Sequence, residues 1–320
     1  MMTRTLHPLA ITFLVFGLAT PLRVAAAEAF DYKVTYDGMF TAFQEVGIGD
    51  ARLDVVQTAA LVDGEPVMRA RLTASSAAYP VVEGFYPFRY EFTSYHQPEQ
   101  SRTLAYERRK QTTRLRHDLL LADWSAGKVK RFRIEDANEG QARDATAEEM
   151  LTRLSRAGLP DYRDQLAPHP GQLAAPGQAL DRLALLQQVR NLPMQEGAVH
   201  ELTVTDGKEI IRYSARIAAR ETVSTGAGER PAWKVRIDGF EDAEVSGYDT
   251  GRESVTGFEE QGEERLRHPP VYVWIDSGPR RVPLRLVSRH AVGKFTVDLH
   301  EERSIQSAAL PASADTRLAR

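Results

Sequence analysis

The 320-residue chain contains no cysteine, so any chemistry must come from histidines, carboxylates, hydroxyls and a basic group. Beyond a leader-like N-terminus the histidines are His96, His117, His169, His200, His268, His290 and His300. None stands in an HExxH or other close ligand spacing, so a metal centre would have to be assembled from distant positions, and surface histidines are the simpler account. No metal and no other cofactor is assigned. A GxSxG elbow and an SxxK pair, the common cues for serine hydrolases, are both absent. Gly47-Ile48-Gly49 and Gly226-Ala227-Gly228 resemble fragments of phosphate loops. A dinucleotide loop needs a strand before it and a helix after it, and strand-like or loop residues follow both, so turn glycines explain them better.

Two charged groups remain. Glu259, Glu260, Glu263 and Glu264 crowd near His268 and have the residue types for paired-carboxylate acid/base work or for calcium. Their spacing fits no catalytic template and a solvated acidic loop accounts for them, so no catalytic residue is assigned. The basic group comprises Arg108, Arg109, Lys110, Arg114 and Arg116, joined by Lys128, Lys130, Arg131 and Arg133. On neighbouring strands, Arg108, Arg109, Arg114, Arg116 and Lys130 would form a rim for an anionic partner such as a phosphorylated lipid head group or a cell-wall polymer. The alternative is a soluble outer face that guards a sheet edge. Tyr32, Tyr36, Phe88, Tyr90, Phe92 and Trp274 are core candidates, and they become the wall of an apolar pocket if the sheet curls around a space that side chains do not fill.

The elements that must position these residues are almost all strands. Phe30, Tyr32, Val34 and Tyr36 alternate with Asp31, Lys33, Thr35 and Asp37, which predicts a strand with one wet face. Strands are also expected at 49–56, 67–74, 85–92, 104–109, 112–117 and 128–134, with Asp63-Gly64 as a hairpin turn. Thr146 with Glu149 forms a capping box opening a short helix through Met150, Leu151 and Leu154, which Gly158 and Pro160 end. Residues 160–177, rich in proline, read as a surface connection. Asp181 then caps a helix to Leu192, with Leu185, Leu186, Val189 and Leu192 on one side and Gln187, Gln188 and Asn191 opposite. Pro193 stops it, and Gly197 lets the chain turn into strands at 200–205 and 209–217 around Asp206-Gly207. Strands at 233–237, 271–275, 282–288 and 294–299 close an antiparallel meander, after an acidic loop at 241–267.

The composition is that of a globular protein: 42% hydrophobic, 27% charged, net charge −3. Arg4, an apolar run from Leu9 to Ala19, Pro21 and Ala25-Ala26-Ala27 read as a secretory signal peptide over residues 1–27. Cleavage there removes Arg4 and Arg23 and takes the net charge from −3 to −5, which argues against nucleic-acid binding. The absence of cysteine excludes a lipid anchor at the cleavage site and disulfides, and makes the bacterial periplasm the natural address. No later segment is apolar enough to span a bilayer.

The run from Asp181 to Pro193, an aspartate followed by a leucine-rich helix bearing Arg190 and ending in Leu192-Pro193, together with Gly197 and the Asp206-Gly207 hairpin, resembles the central signature of the bacterial envelope family called domain of unknown function 3108. Val271-Tyr272-Val273-Trp274-Ile275-Asp276 with Arg281-Val282-Pro283-Leu284-Arg285 and Gly293 is similar to its other recurrent block, and Tyr32 to Gly38 is similar to its first strand. The resemblance implies an exported, mostly antiparallel β protein and supplies no catalytic residues. The helix near Met150 and the acidic loop depart from the pattern.

The sequence therefore predicts a mainly β protein: an antiparallel curled sheet or barrel-like meander over residues 28–306, with one central amphipathic helix and a second short one. Residues 145–180 and 241–267 are insertions, and 307–320 form a disordered tail. The leading functional expectation is a non-enzymatic periplasmic protein that binds a lipid-like or other apolar, anionic envelope ligand. Its alternatives are an envelope scaffold with a protein partner and no pocket, and a cell-wall or polysaccharide-acting enzyme using the acidic loop.

Overall fold

Alternating apolar and polar side chains build one sheet through nearly the whole chain. The computed structural model describes residues 27–135, 144–174, 177–240 and 269–305. Ala27–Gly38 (β1) leads into Val46–Val62 (β2) and Glu65–Ser75 (β3), then a short helix Pro80–Phe85 (α1). Arg89–Gln97 (β4), Arg102–Gln111 (β5), Leu115–Asp123 (β6) and Lys128–Ile134 (β7) follow, then helix Ala145–Ser155 (α2) and Leu166–Ala174 (β8). Helix Arg182–Asn191 (α3) leads to Val199–Thr205 (β9), Ile210–Thr225 (β10), Gly228–Phe240 (β11), Val271–Asp276 (β12), Pro283–His290 (β13) and Gly293–Ile305 (β14).

All these strands form one 14-stranded antiparallel sheet in the order β8-β7-β6-β5-β4-β3-β2-β1-β14-β13-β12-β11-β10-β9. The first and last strands, β1 and β14, pair at its centre, with Tyr36 opposite Phe295 and Val34 opposite Val297. The two edges, β8 and β9, are therefore successive strands of the chain, and α3 lies on the stretch between them. Just before α3, Leu180 makes a parallel bridge to Val204 of β9. On its other side Thr103 of β5 donates its amide to the Ala179 carbonyl at 2.9 Å. Residues 179–181 thus stitch one edge of the sheet to the body of its other half, which is how the sheet curls without closing strand to strand.

The curl encloses α3. Leu185, Val189 and Leu192 join Val204, Ala215, Ile217, Val235, Ile237, Val273 and Ile275 in one buried cluster, while Leu183 packs with Phe30, Leu53, Ala70 and Tyr106 of the other half. The helix is consequently covered on more than the expected single side: Gln187 and Arg190 are buried too. Each of the three guanidinium nitrogens of Arg190 donates. It donates to the Arg281 and Arg280 carbonyls at 2.9 and 3.0 Å, to Gln187 Oε1 at 2.7 Å and to Glu28 Oε2 at 2.6 Å, and its guanidinium lies 5.5 Å from the Phe30 ring centre. The second helix, α2, covers the other face of β5–β7, where Met150, Leu151 and Leu154 meet Tyr95, Leu119, Leu121 and Phe132.

Several expectations are corrected. The strand expected at 85–92 begins only at Arg89, because Pro80 sits in the first turn of α1, where its fixed φ and missing N–H suit a helix start. The strand expected at 112–117 is instead a turn followed by β6 from Leu115. The cap of α2 is Asp144, whose carboxylate accepts from the Ala147 amide, and Thr146 lies inside the helix. The connection expected over 160–177 contains β8, an edge strand, and an edge is where a sheet tolerates proline. The acidic residues 241–267 and the tail 307–320 lie outside the described residues.

Asp181→Ala would strip the cap from α3 and leave buried hydroxyls and amides without an acceptor. The expected cost is about 3 kcal/mol or more in urea unfolding followed by tryptophan fluorescence. A loss below about 1 kcal/mol would show that the helix does not depend on this cap.

Candidate functional site

Two side-chain groups in the curl have the makings of a site. The first surrounds Asp181, which is wholly buried. Its Oδ1 accepts from the Leu183 and Ala184 amides at 2.8 and 2.9 Å, the first-turn donors of α3. Its Oδ2 accepts from the Ser94 hydroxyl at 2.6 Å and the Thr103 hydroxyl at 2.7 Å, while its amide donates to Thr103 Oγ1 at 2.7 Å. Burial pushes the carboxyl upward in pKa, and the hydroxyl and amide donors pull against that. His96, also buried, has Nδ1 3.1 Å from Ser94 Oγ, and burial lowers its pKa to about 4.

Serine, histidine and aspartate are the residue types of a hydrolase triad, but the wiring is different. In a triad the serine gives its proton to the imidazole, which the carboxylate orients. Here Ser94 sits in the middle and gives its proton to Asp181, so the imidazole Nδ1–H must donate to Ser94 Oγ. A serine so bound is an acceptor toward its histidine and is not primed for attack. The group is a structural lock for the seam between α3, β4 and β5.

The second group lies on the aromatic face of β4–β7. Phe88 and Tyr90 stack at 5.2 Å, Tyr90 and Phe92 lie 6.2 Å apart, and Phe92 faces Tyr106 at 6.4 Å. Gly49 makes room for this row, since a Cβ there would sit 2.7 Å from the Phe88 ring. The Lys110 ammonium stands over the row, 5.4 Å from the Phe92 ring centre and 6.0 Å from that of Tyr90. Beside it Arg108 and Arg131 share one carboxylate, Asp118, at 3.4 and 3.0 Å. Arg131 Nε is buried with no hydrogen-bond partner. Crowding by protein lowers the Lys110 pKa, and the charges of Arg108, Arg182 and Arg116 lower it further, with only Asp118 opposing. Lys110 as a residue is exposed.

The strand register sorts the candidates named from the sequence. Tyr32, Tyr90 and Phe92 share the aromatic face, because Tyr32 pairs with Ala51, Ala51 with Ala74 and Ala74 with Tyr90. Tyr36 lies nearer the end of β1, where its hydroxyl meets the Val292 carbonyl. Leu185, Val189 and Leu192 are committed to the β9–β12 core, and Leu186 packs between both cores. Trp274 alternates away from Val273 and Ile275, pairs with Lys234 and bonds Glu221. It is buried in the cluster that holds Tyr32, Tyr106 and Leu183, whereas Val273 and Ile275 join the cluster of Leu185, Val189 and Leu192. The basic group also divides. Arg108 shares the Asp118 side with Arg131 and pairs in register with it, Lys110 pairs with Arg116, and Arg114 lies in the turn. Arg109 takes the other side, as does Lys130, which reaches the Asp144 cap of α2 at 2.8 Å. Ser94, His96, Thr103 and Asp118 carried no sequence signal, since polar residues inside strands stand out only once the register is known.

A separate groove of about 360 Å³ crosses β14, β1, β2 and β3, with Asp31, Lys33, Asp50, Arg52, Glu301 and Arg303 on its walls. Its charges answer one another, as in Lys33–Asp50 at 2.7 Å and Arg303–Asp31 at 3.1 Å, so it has no excess charge to offer. Among the described residues no group of histidines and carboxylates could hold a metal ion, and no helix is long and apolar enough to cross a membrane.

Residues 160–300 match the family described as Protein of unknown function (DUF3108), which bears out the resemblance drawn from α3 and the β12–β13 block. The first-strand likeness at Tyr32 to Gly38 lies outside that span. No curated protein matches the chain. Among solved structures, a β-barrel-like protein of domain of unknown function DUF1849 from Brucella abortus is similar over 87% of this chain and 98% of its own, with 8% identity and a TM-score of 0.46. A protein with a YmcC-like fold from Bacteroides fragilis is similar over 86% and 95%, with 11% identity and a TM-score of 0.29.

The buried imidazole makes stability depend on pH. An unfolded histidine takes up its proton near pH 6.5, whereas folded His96 does so only near 4, so stability is lost as pH falls between those values. Between pH 7 and pH 5 the wild type should lose about 2 kcal/mol more than His96→Gln in urea unfolding. The raised pKa of Asp181 acts in the opposite sense in both proteins, so the difference between them isolates the histidine. Equal losses would mean that His96 is protonated in the folded state.

Proposed function

We propose, for a chain whose residues 160–300 carry the DUF3108 family pattern, that it is an exported, non-enzymatic protein of the bacterial periplasm that holds an amphipathic anion of the cell envelope. The ligand is a lipid or other acyl-bearing molecule with a phosphate or carboxylate head. Its apolar part would lie along Tyr90, Phe92 and Tyr106, and its head would meet Lys110, Arg108 and Arg131. Export is supported by Arg4, the apolar run from Leu9 to Ala19 and Ala25-Ala26-Ala27.

The observation that carries the reading is the charge imbalance over an aromatic surface. Lys110, Arg108 and Arg131 stand together with Asp118 as the one carboxylate bonded among them in the described residues, and the ammonium lies over two ring faces. Like charges crowded in partly dehydrated surroundings repel, and an anion placed among them relieves the repulsion. Arginine forks suit phosphate and carboxylate geometry, and aromatic rings accept an acyl chain beside them.

Native mass spectrometry of protein released from the periplasm should show a species heavier than the bare chain by an anionic lipid. With lysophosphatidylglycerol as the titrated probe, Lys110→Met should weaken binding about tenfold or more, the worth of one hydrogen bond to a charged group. Wild-type affinity should also fall as pH rises through the lowered pKa of Lys110, because the neutral amine no longer attracts the head group. Unchanged affinity in Lys110→Met, or only bare chain after release from lipid-rich cells, would sink the reading.

A further inference from the structure

The exposed apolar side chains are unevenly distributed. Among the described residues the large hydrophobics open to solvent are Met39, Phe40, Phe43, Val46, Leu61, Val81, Phe85, Tyr86, Leu115, Val199 and Val292. The register shows where they lie. Gly293 pairs with Gly38, Tyr36 with Val46, Asp50 with Ser75, Ser75 with Arg89, Arg89 with Gln111 and Gln111 with Leu115. The β1–β2, β3–β4, β5–β6 and β13–β14 connections therefore gather at one end of the sheet. All the exposed hydrophobics except Leu61 and Val199 belong to that end.

Their exposure is built into the backbone. Phe40 is 72% exposed, Phe43 75%, Val81 79% and Phe85 69%. Phe43 is held at a left-handed φ of 60°, a conformation disfavoured for a bulky side chain, with its amide bonded to the Gly38 carbonyl at 2.9 Å. The Met39 amide donates to the Val292 carbonyl at 3.2 Å, which ties two of the loops together. Arg89 bonds Glu83 at 2.8 Å and fixes α1, and with it Phe85, against β4. These loops are braced so that their apolar tips face outward.

Among the described residues of these four connections and the strand ends beside them, positive charge is in excess. Asp37 and Glu45 are met by Lys294 at 3.2 and 3.8 Å, and Glu83 by Arg89. Arg109, Arg114, Arg116 and Arg289 have no carboxylate partner among the described residues and remain available beside the apolar tips. We propose that this end of the sheet docks on the surface of an anionic phospholipid bilayer, with Phe40, Phe43, Phe85 and Leu115 entering the head-group boundary and the arginines meeting lipid phosphates. Apolar side chains ringed by cations are what such a surface selects, since burial of the former and attraction of the latter add. A second copy of the chain fits less well, because a self-facing contact would bring Arg109, Arg114 and Arg116 against their own kind. The test uses the full chain, so that the charge of the acidic sequence 241–267 is included.

The test is co-sedimentation with vesicles containing phosphatidylglycerol, alongside vesicles of phosphatidylcholine alone. The wild type should partition onto the anionic vesicles, at least tenfold less onto the neutral ones, and less in high salt, which screens the arginines. The triple variant Phe40→Ser, Phe43→Ser, Phe85→Ser should lose at least tenfold in partitioning with an unchanged thermal melt, as all three side chains are exposed. Partitioning of the triple variant equal to wild type, or no sedimentation of the wild type with any vesicle, overturns the proposal. A wild-type dimer that the triple variant converts to monomer, without vesicle binding, overturns it in favour of self-association. Lys110→Met separates this inference from the ligand reading, because it should lose the soluble lysophospholipid probe yet keep its partitioning onto vesicles.

Discussion

A sheet that begins and ends on successive strands of the chain has to deal with two edges at once. Unpaired edges invite pairing with other molecules, and the backbone groups of the connecting segment still need partners when it is buried. In this protein both demands converge on Asp181. Its flanking residues Leu180 and Ala179 bond to β9 on one side and β5 on the other, and its carboxylate gathers two amides of α3 and two hydroxyls of β4 and β5. A single acidic side chain without that full set of donors would not stay in so dry a position. The helix cap, the stitched seam and the curl of the sheet are therefore one interaction seen from three sides.

Arg190 supplies the second tie and explains why the helix carries an arginine near its end. A guanidinium there complements the helix dipole, and in the interior each of its nitrogens must find an acceptor. The carbonyls of Arg280 and Arg281, with Glu28 and Gln187, provide them, so α3 is fastened to the first strand and to the β12–β13 turn. Arg281 has a left-handed φ of 51°, part of the tight turn whose carbonyls meet the guanidinium. Leu183 and Leu185 then enter two different buried clusters, and the short helix serves as the shared core of two hairpin arrays whose strands pair with one another only at β1 and β14.

Much of this was legible in the residues. The Asp181 cap, the Pro193 stop, the Asp63-Gly64 turn and the alternation of β1 depend on local chemistry, and local chemistry is what a sequence displays. The burial of Gln187 and Arg190 was not, because it depends on a sheet wrapping around the far side of the helix. Lys130 and Arg131 could not be assigned to faces until strand pairing supplied the parity. Pro168 and Pro170 hid β8, as proline is read as a strand breaker and only topology reveals an edge. The Ser94–His96–Thr103–Asp181 lock joins residues whose spacing in sequence carries no pattern at all.

The lock and the loop end also occupy different parts of the molecule. Thr103 and Gln111 are eight residues apart on β5, which at the rise of an extended strand is about 27 Å. Residues that hold the seam therefore lie far from those that present Phe40, Phe85 and Leu115, beyond the range over which substitutions usually couple. Such separation lets one end of a sheet carry outward apolar side chains at little cost to the fold, because the burial that stabilises the curl is done elsewhere. Between the two lies the aromatic row from Phe88 to Tyr106, with Lys110 near the loop end and Ser94 near the lock.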